Sequence, residues 1–162
     1  MRRHYLFTLL AMFLLLGTGR AMAQASAVES KLVGIWQMCF YVSDQADVPG
    51  ELKPSNSFKI LGGDGTFTNM AVIPNYGAII RGSGTFKETS ENAYTEHVEK
   101  NLHLPQLVGV DNVLYYEMKG DDLMVLKYFV KTDKDGNELN VWYYETWKRV
   151  KMPAKYPAFL VQ

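Results

Sequence analysis

Short segments rich in β-branched and aromatic residues alternate along the chain with short polar or glycine-rich segments. This pattern is typical of strands joined by turns, because branched and aromatic side chains suit a pleated, half-buried surface. We predict eight strands, at residues 33–42, 58–61, 66–73, 78–87, 93–100, 112–119, 123–131 and 138–150. No amphipathic helix of useful length lies between them, so the chain is predicted to be all-β, either a barrel or a sandwich.

The predicted connections differ in length in a regular way. If the strands run up and down, alternate connections lie at opposite ends of the fold. The turns at 62–65, 88–92 and 120–122 then share one end, and all are short and either polar or glycine-rich. The two long connections, 43–57 and 101–111, share the other end. One closed end and one end with long loops indicate a cup, and barrels of about eight strands can hold one small ligand.

Motifs on the first and last predicted strands resemble the lipocalin pattern. In that family, a tryptophan packs across the barrel base and an arginine from the last strand covers it, a favourable contact. Gly34-Ile35-Trp36 and Arg149 match these positions. The wider frame is similar to lipocalin-like families of uncharacterised secreted bacterial proteins, through Asp64-Gly-Thr-Phe67, Gly82-x-Gly84-x-Phe86, Tyr94-x-Glu96 and Glu145-x-Trp147-x-Arg149. The resemblance implies an antiparallel eight-stranded up-and-down (calycin-like) barrel, closed at the Trp36/Arg149 end.

Side chains alternate between the two faces of a strand, so an inward Trp36 or Arg149 predicts an inward row on its strand. The candidate cavity lining is Met38, Phe40, Phe67, Tyr94, Glu96, Tyr115, Tyr128, Tyr143 and Glu145. The candidate structural residues of the base are Gly34, Trp36, Trp147 and Arg149. Because an unpaired buried charge is costly, we expect Glu145 and Arg149 to pair, with Glu96 nearby. A barrel filled solid by its own tyrosines and methionines is the alternative.

The first residues have the pattern of a secretory signal. Arg2, Arg3 and His4 form a basic start, an apolar stretch follows, and Ala21-Met22-Ala23 fits a signal-peptidase site. The apolar stretch is shorter than the roughly 20 residues that a spanning helix needs. We therefore predict a signal peptide at 1–23, a lead at 24–31, a barrel domain at 32–150 and a tail at 151–162. Gln24, rather than a lipid-bearing cysteine, follows the cleavage site, which indicates a secreted or periplasmic protein that is not a lipoprotein.

Charge and motif content exclude several functions. Loss of Arg2, Arg3 and Arg20 lowers the basic residues from 17 to 14 against 17 acidic ones, so the mature chain carries about −3. A negative chain is unsuited to nucleic acid. Cys39 is the only cysteine, so no internal disulfide forms. His97 and Glu99 lack further ligands for a metal, and the sequence predicts no cofactor and no catalytic constellation.

Three functional hypotheses remain open. The first is a non-catalytic lipocalin-like binding protein for a small apolar or amphipathic ligand. The second is a cell-envelope interaction module with a filled barrel, which contacts an unknown protein or a glycan through loops such as the apolar segment 102–108 or the tail. The third is a barrel isomerase or hydrolase that uses Glu96 or Glu145, which requires one of these carboxylates to be inside a wet cavity with a raised pKa.

Overall fold

The structure, a computed structural model, describes residues 30–43 and 50–153. The strands are β1 (Gly34–Val42), β2 (Glu51–Leu61), β3 (Thr66–Ile73), β4 (Gly77–Ser90), β5 (Ala93–Asn101), β6 (Asp111–Lys119), β7 (Leu123–Thr132) and β8 (Glu138–Arg149). Each strand pairs with the next, and β8 pairs with β1, always antiparallel. The predicted closed eight-stranded up-and-down barrel is therefore confirmed. The signal-peptide prediction and residues 154–162 of the tail lie outside the described residues.

Strand β2 is much longer than predicted. Pro54 suggested that residues 43–57 form a loop, yet β2 begins at Glu51 and continues through the proline. Pro54 lies opposite Cys39, where the register between β1 and β2 shifts. A proline is tolerated at such an irregularity because the ladder of backbone hydrogen bonds is already interrupted there.

The base of the barrel is sealed by Trp36 and Arg149. Trp36 is fully buried, and the guanidinium carbon of Arg149 lies 4.1 Å from the centre of the indole ring. The indole N–H donates to the carbonyl of Leu32 at 2.8 Å. Arg149 donates to the carbonyls of Val33 at 2.8 Å and Asp121 at 3.1 Å. The predicted stacking of Arg149 on Trp36 is confirmed, and these bonds link the first strand to the β6–β7 turn.

Gly34 is required by this arrangement. Its φ of +146° is unfavourable for residues with a side chain, and an added Cβ would lie 2.6 Å from a guanidinium nitrogen of Arg149. Arg149 also donates to the carbonyl of Lys31. The donors of Arg149 are directed at backbone carbonyls, and among the described residues it forms no ion pair with Glu145. The predicted pairing of Glu145 with Arg149 is therefore wrong.

The core lies between the base and the middle of the barrel. Its buried members are Leu32, Trp36, Leu61, Phe67, Tyr94, Val98, Leu114, Met124, Leu126 and Trp147. Phe67 pairs with Gly84, where a Cβ would lie only 2.9 Å from the phenyl ring. Glycine at this position lets the ring lie against the backbone of β4. Val98, Leu114 and Trp147 belong to this core and also line the cavity of the barrel, so core and cavity share a boundary.

Candidate functional site

A cavity of about 390 Å³ occupies the barrel interior on the side of the long loops. Its lining combines aromatic and apolar side chains with charged and amide groups. The lining residues are Met38, Lys59, Asn69, Arg81, Gly82, Glu96, Val98, Asn101, His103, Leu104, Leu107, Asn112, Leu114, Tyr128, Tyr143, Glu145 and Trp147. The volume lies within the usual range for sites that bind small molecules.

A buried ion pair lies at the floor of this cavity. Lys59 on β2 and Glu96 on β5 are 2% and 4% exposed, and their Nζ and Oε1 atoms are 2.5 Å apart. The hydroxyl of Tyr94 donates to the same Glu96 oxygen at 3.2 Å and accepts from Lys59 at 3.4 Å. The ammonium also lies 5.7 to 5.9 Å from the ring centres of Phe67, Tyr94 and Trp147. Both charges thus have the partners that burial demands.

Glu145 is held by neutral donors instead of a cation. The Tyr128 hydroxyl donates to one carboxylate oxygen at 3.2 Å, and the Trp147 indole N–H donates to the other at 3.0 Å. Tyr128 stacks on Tyr143 with ring centres 5.4 Å apart. Burial, and then the negative charge of Glu145, raise the pKa of Tyr128 above its ordinary value. Tyr128 therefore remains a neutral hydrogen-bond donor at physiological pH.

Loop 102–110 covers part of the cavity mouth. Leu104 and Leu107 line the cavity, and residues 105–107 form one turn of 3-10 helix. The Asn101 side-chain oxygen accepts from the backbone N–H of Leu104 at 2.8 Å, and the Gln106 amide donates to the Thr132 carbonyl at 2.9 Å. The loop is therefore anchored to β5 on one side and to β7 on the other, so it forms a fixed rim.

Comparison with known proteins places this barrel in a family. A family model described as "Domain of unknown function (DUF4488)" matches residues 31–158. The chain belongs to the DUF4488 family. No curated protein matches the chain. The DUF4488 description assigns no activity, so function must be inferred from the cavity itself.

Five of the nine candidate lining residues lie on the cavity of this DUF4488 barrel: Met38, Glu96, Tyr128, Tyr143 and Glu145. Two others, Phe67 and Tyr94, are buried in the core beside the Lys59 ammonium. Of the base residues, Trp147 also lines the cavity floor, between the sealed base and the open end.

The predicted inward position of Phe40 is wrong. Its side chain is 58% exposed and does not line the cavity. Pairing of β1 with β8 ends at Cys39, and the register with β2 is irregular between Gln37 and Cys39. Beyond that point, the two-residue alternation that began at Trp36 no longer identifies the inner face.

Tyr115 is also outside the barrel. Its neighbours Leu114 and Asn112 point inward and are buried, so alternation places Tyr115 on the outer face, where it is 41% exposed. There it lies against Trp142, with the Lys127 ammonium above both rings. The next residue, Tyr116, is the one that packs against the core inside the barrel.

Two charged cavity residues were missed. Lys59 pairs directly with Trp36 across β1 and β2, so an inward Trp36 implies an inward Lys59. The sequence feature that could have identified Lys59 is its place as a single lysine between two apolar residues, Phe58 and Ile60. Arg81 could not be placed by cross-strand pairing, because it lies where the register between β3 and β4 shifts.

Residues 30–43 and 50–153 contain neither a cluster of metal ligands nor a membrane-spanning helix. That part of the chain holds no group of three or more His, Cys, Asp or Glu residues that could bind a metal ion. His97 pairs with Asp111 at 2.7 Å, and both side chains are exposed. In the same ranges, no helix has the length and apolar character needed to cross a bilayer.

Proposed function

We propose that this protein is a secreted or periplasmic, lipocalin-like barrel that binds a small amphipathic molecule in its interior without catalysing a reaction. The observation that carries the proposal is the cavity of about 390 Å³ on the loop side of a barrel whose opposite end is sealed. A pocket of this size, lined by aromatic rings with a few convergent polar groups, is the ordinary form of a small-molecule site.

The lining favours an amphipathic ligand over a wholly apolar one. Tyr128, Tyr143 and Leu107 offer broad apolar contact, whereas Arg81, Glu145 and several amides also face the space. A wholly apolar molecule would remove water from these groups without replacing its hydrogen bonds, which is unfavourable. A ligand with both an apolar body and a polar end would satisfy both parts of the lining.

The state of the two cavity carboxylates supports a binding role rather than a catalytic one. A general base needs a free lone pair and a pKa near the working pH. Glu96 is engaged by the Lys59 ammonium and the Tyr94 hydroxyl. Glu145 receives one donor on each oxygen. Both carboxylates thus hold neighbouring side chains in place, which supports a structural role for them over proton transfer.

An interaction module is the second candidate, because aromatic side chains are exposed on the outer wall. Tyr115, Phe129 and Trp142 form a cluster with ring centres 5.4 to 6.1 Å apart, and all three are partly exposed. Exposed apolar patches often mark contact surfaces. Recovery of a defined envelope partner that is lost on Trp142→Ala, but not on Tyr143→Trp, would favour this candidate.

Adjacent tyrosines on β8 allow a sharp test of the cavity. Tyr143 lines it, whereas Tyr144 is exposed on the opposite face. Prodan, a small neutral dye whose emission shifts to the blue in apolar surroundings, is titrated into the mature chain. We expect saturable binding that Tyr143→Trp weakens by about tenfold, since the larger ring occupies ligand space. Tyr144→Trp is the matched control and should bind like the wild type. The absence of saturable binding, or equal effects of the two variants, would refute the proposal.

The predicted export can be checked independently. The secreted or periplasmic location is supported by the basic, apolar and small-residue pattern of residues 1–23. Expression of the full chain in a bacterium with an intact secretion pathway should yield a protein whose mass corresponds to a start at Gln24. A full-length mass in the cytoplasmic fraction would argue against it.

A further inference from the structure

Two buried polar atoms at the mouth of the cavity have no partner. They are the Nε of Arg81 and the side-chain oxygen of Asn69, and both residues line the cavity. Asn69 pairs with Gly82, the residue after Arg81, so the two side chains are neighbours on adjacent strands. Buried polar groups are nearly always hydrogen-bonded, and an unpaired one weakens the fold. Both atoms are therefore available to hydrogen-bond with a molecule that enters the cavity.

Arg81 reaches the cavity because of an irregularity in β4. Gly82 pairs with Asn69 and Ile80 pairs with Met70, which leaves Arg81 as an extra residue without a partner on β3. Simple alternation from the inward Gly82 and Gly84 would direct Arg81 outward. A bulge redirects the side chain that it carries, and bulges are frequent beside functional sites. The irregularity here adds a guanidinium to the cavity lining.

The charge of Arg81 is uncompensated within the described part of the chain. No carboxylate in residues 30–43 and 50–153 lies within ion-pair distance of it, and its one side-chain hydrogen bond there is to His103, at 3.5 Å. The other cavity cation, Lys59, is already paired with Glu96. An incoming anion is thus attracted to Arg81 at the mouth, and Glu145, which has no cationic partner among the described residues, repels it from the rest of the lining.

We propose that Arg81 and Asn69 form the subsite for the polar end of the ligand, and that this ligand is an amphipathic carboxylate with an N–H or hydroxyl beside the acid group. The carboxylate accepts from the guanidinium, for which its planar geometry is well suited. The neighbouring donor satisfies the free oxygen of Asn69. The apolar body then extends inward, against the stacked rings of Tyr128 and Tyr143. This assignment rests on the proposed binding function and specifies its ligand class.

N-(2-naphthoyl)glycine and its neutral amide, N-(2-naphthoyl)glycinamide, test the assignment. They share the naphthyl body and the N–H, and they differ in the charge of the end group. We expect the wild-type protein to bind the acid at least about tenfold more tightly than the amide, as a hydrogen bond to a charged group implies. Arg81→Gln should abolish this preference with little effect on amide binding. Lys87→Gln, which removes an exposed cation from the same strand, is the charge-matched control. This variant should still prefer the acid to the amide.

A second variant and a stability measurement separate a binding role from a structural one. Arg81→Lys keeps the charge but loses the planar fork, so it should retain part of the preference for the acid. Because the Arg81 Nε is buried without a partner, neither substitution should lower the melting temperature. A large loss of thermal stability in both variants would assign Arg81 to the fold and overturn the proposal.

The remaining outcomes distinguish this assignment from the proposed function. Equal affinity for acid and amide, or a preference that survives Arg81→Gln, would overturn the subsite while leaving the cavity function intact. The same holds if Prodan binds in the cavity and neither naphthoyl compound does. If neither the dye nor the two compounds bind, the function and the subsite fail together.

Discussion

Replacement of Lys59 by methionine should destabilise the protein far more than replacement of an exposed lysine. Methionine keeps most of the apolar stem and removes the charge. Glu96 would then be a buried carboxylate without a counter-ion, since Lys59 is its ion-pair partner at 2.5 Å and both residues are almost wholly buried. Breaking such a pair from one side costs about 3–5 kcal/mol. Domains of this size have about 5–15 kcal/mol of stability, so the loss would be a large fraction of the total.

The control is the exposed pair Lys119–Glu117, whose side chains are 53% and 66% exposed. Lys119→Met should cost less than about 1 kcal/mol, because water screens and solvates both charges. The double variant Lys59→Met/Glu96→Gln tests the cause. It removes both charges and keeps an amide oxygen for the Tyr94 hydroxyl, so it should recover most of the loss.

Urea unfolding followed by tryptophan fluorescence at neutral pH gives the free energy of unfolding for each variant. A loss below about 1 kcal/mol for Lys59→Met would show that the charge on Glu96 is not desolvated, and the buried-pair reasoning would be wrong. A double variant as unstable as the single one would mean that packing of the lysine stem, rather than the unpaired charge, explains the loss.

Two further predictions concern the base and the tyrosines. Trp36→Ala should cost about 3–5 kcal/mol in unfolding free energy, as large aromatic truncations in cores do, and Trp142→Ala on the outer wall should cost less. Stability should also fall as pH rises above about 10, because burial and nearby carboxylates raise the pKa of Tyr94 and Tyr128 in the folded state, so the unfolded chain releases their protons first. Urea unfolding between about pH 8 and pH 11 checks this, and Tyr128→Phe should make the slope shallower. A slope that Tyr128→Phe leaves unchanged would contradict the assignment of that residue.

The fold could be predicted because strand periodicity and turn chemistry are local properties. The glycine-rich turn before Thr66 and the Pro74-Asn-Tyr-Gly77 turn fix β3, whose predicted bounds match the structure. Closure is a long-range property that periodicity does not determine. It was predicted through the Trp36 and Arg149 motifs, which mark the two strands that must meet.

The site was only partly predictable, because its lining depends on register. Lys59 could have been placed by carrying the inward position of Trp36 across to β2, one pairing away. Arg81 could not, because it is an extra residue in β4, and an irregularity of one residue reverses the face of a side chain. Phe40 could not, because it lies beyond Cys39, where the pairing of β1 with β8 ends. Prediction by alternation therefore needs both regular pairing and a known starting face: the first is missing at Arg81, and the second was missing at Tyr115.

The Lys59–Glu96 pair provides a final test of what the interior is for. A buried ion pair contributes little net stability compared with apolar residues of similar volume, so stability alone does not account for it. If Lys59→Met/Glu96→Gln folds as well as the wild type and yet binds N-(2-naphthoyl)glycine at least about tenfold more weakly, the pair shapes the polar floor on which the ligand rests. If binding is unchanged, the ligand stays near the mouth and its affinity depends on Arg81 and the stacked tyrosines. The contrast is informative because the double variant leaves the Arg81 subsite intact, so any loss must arise at the floor of the cavity.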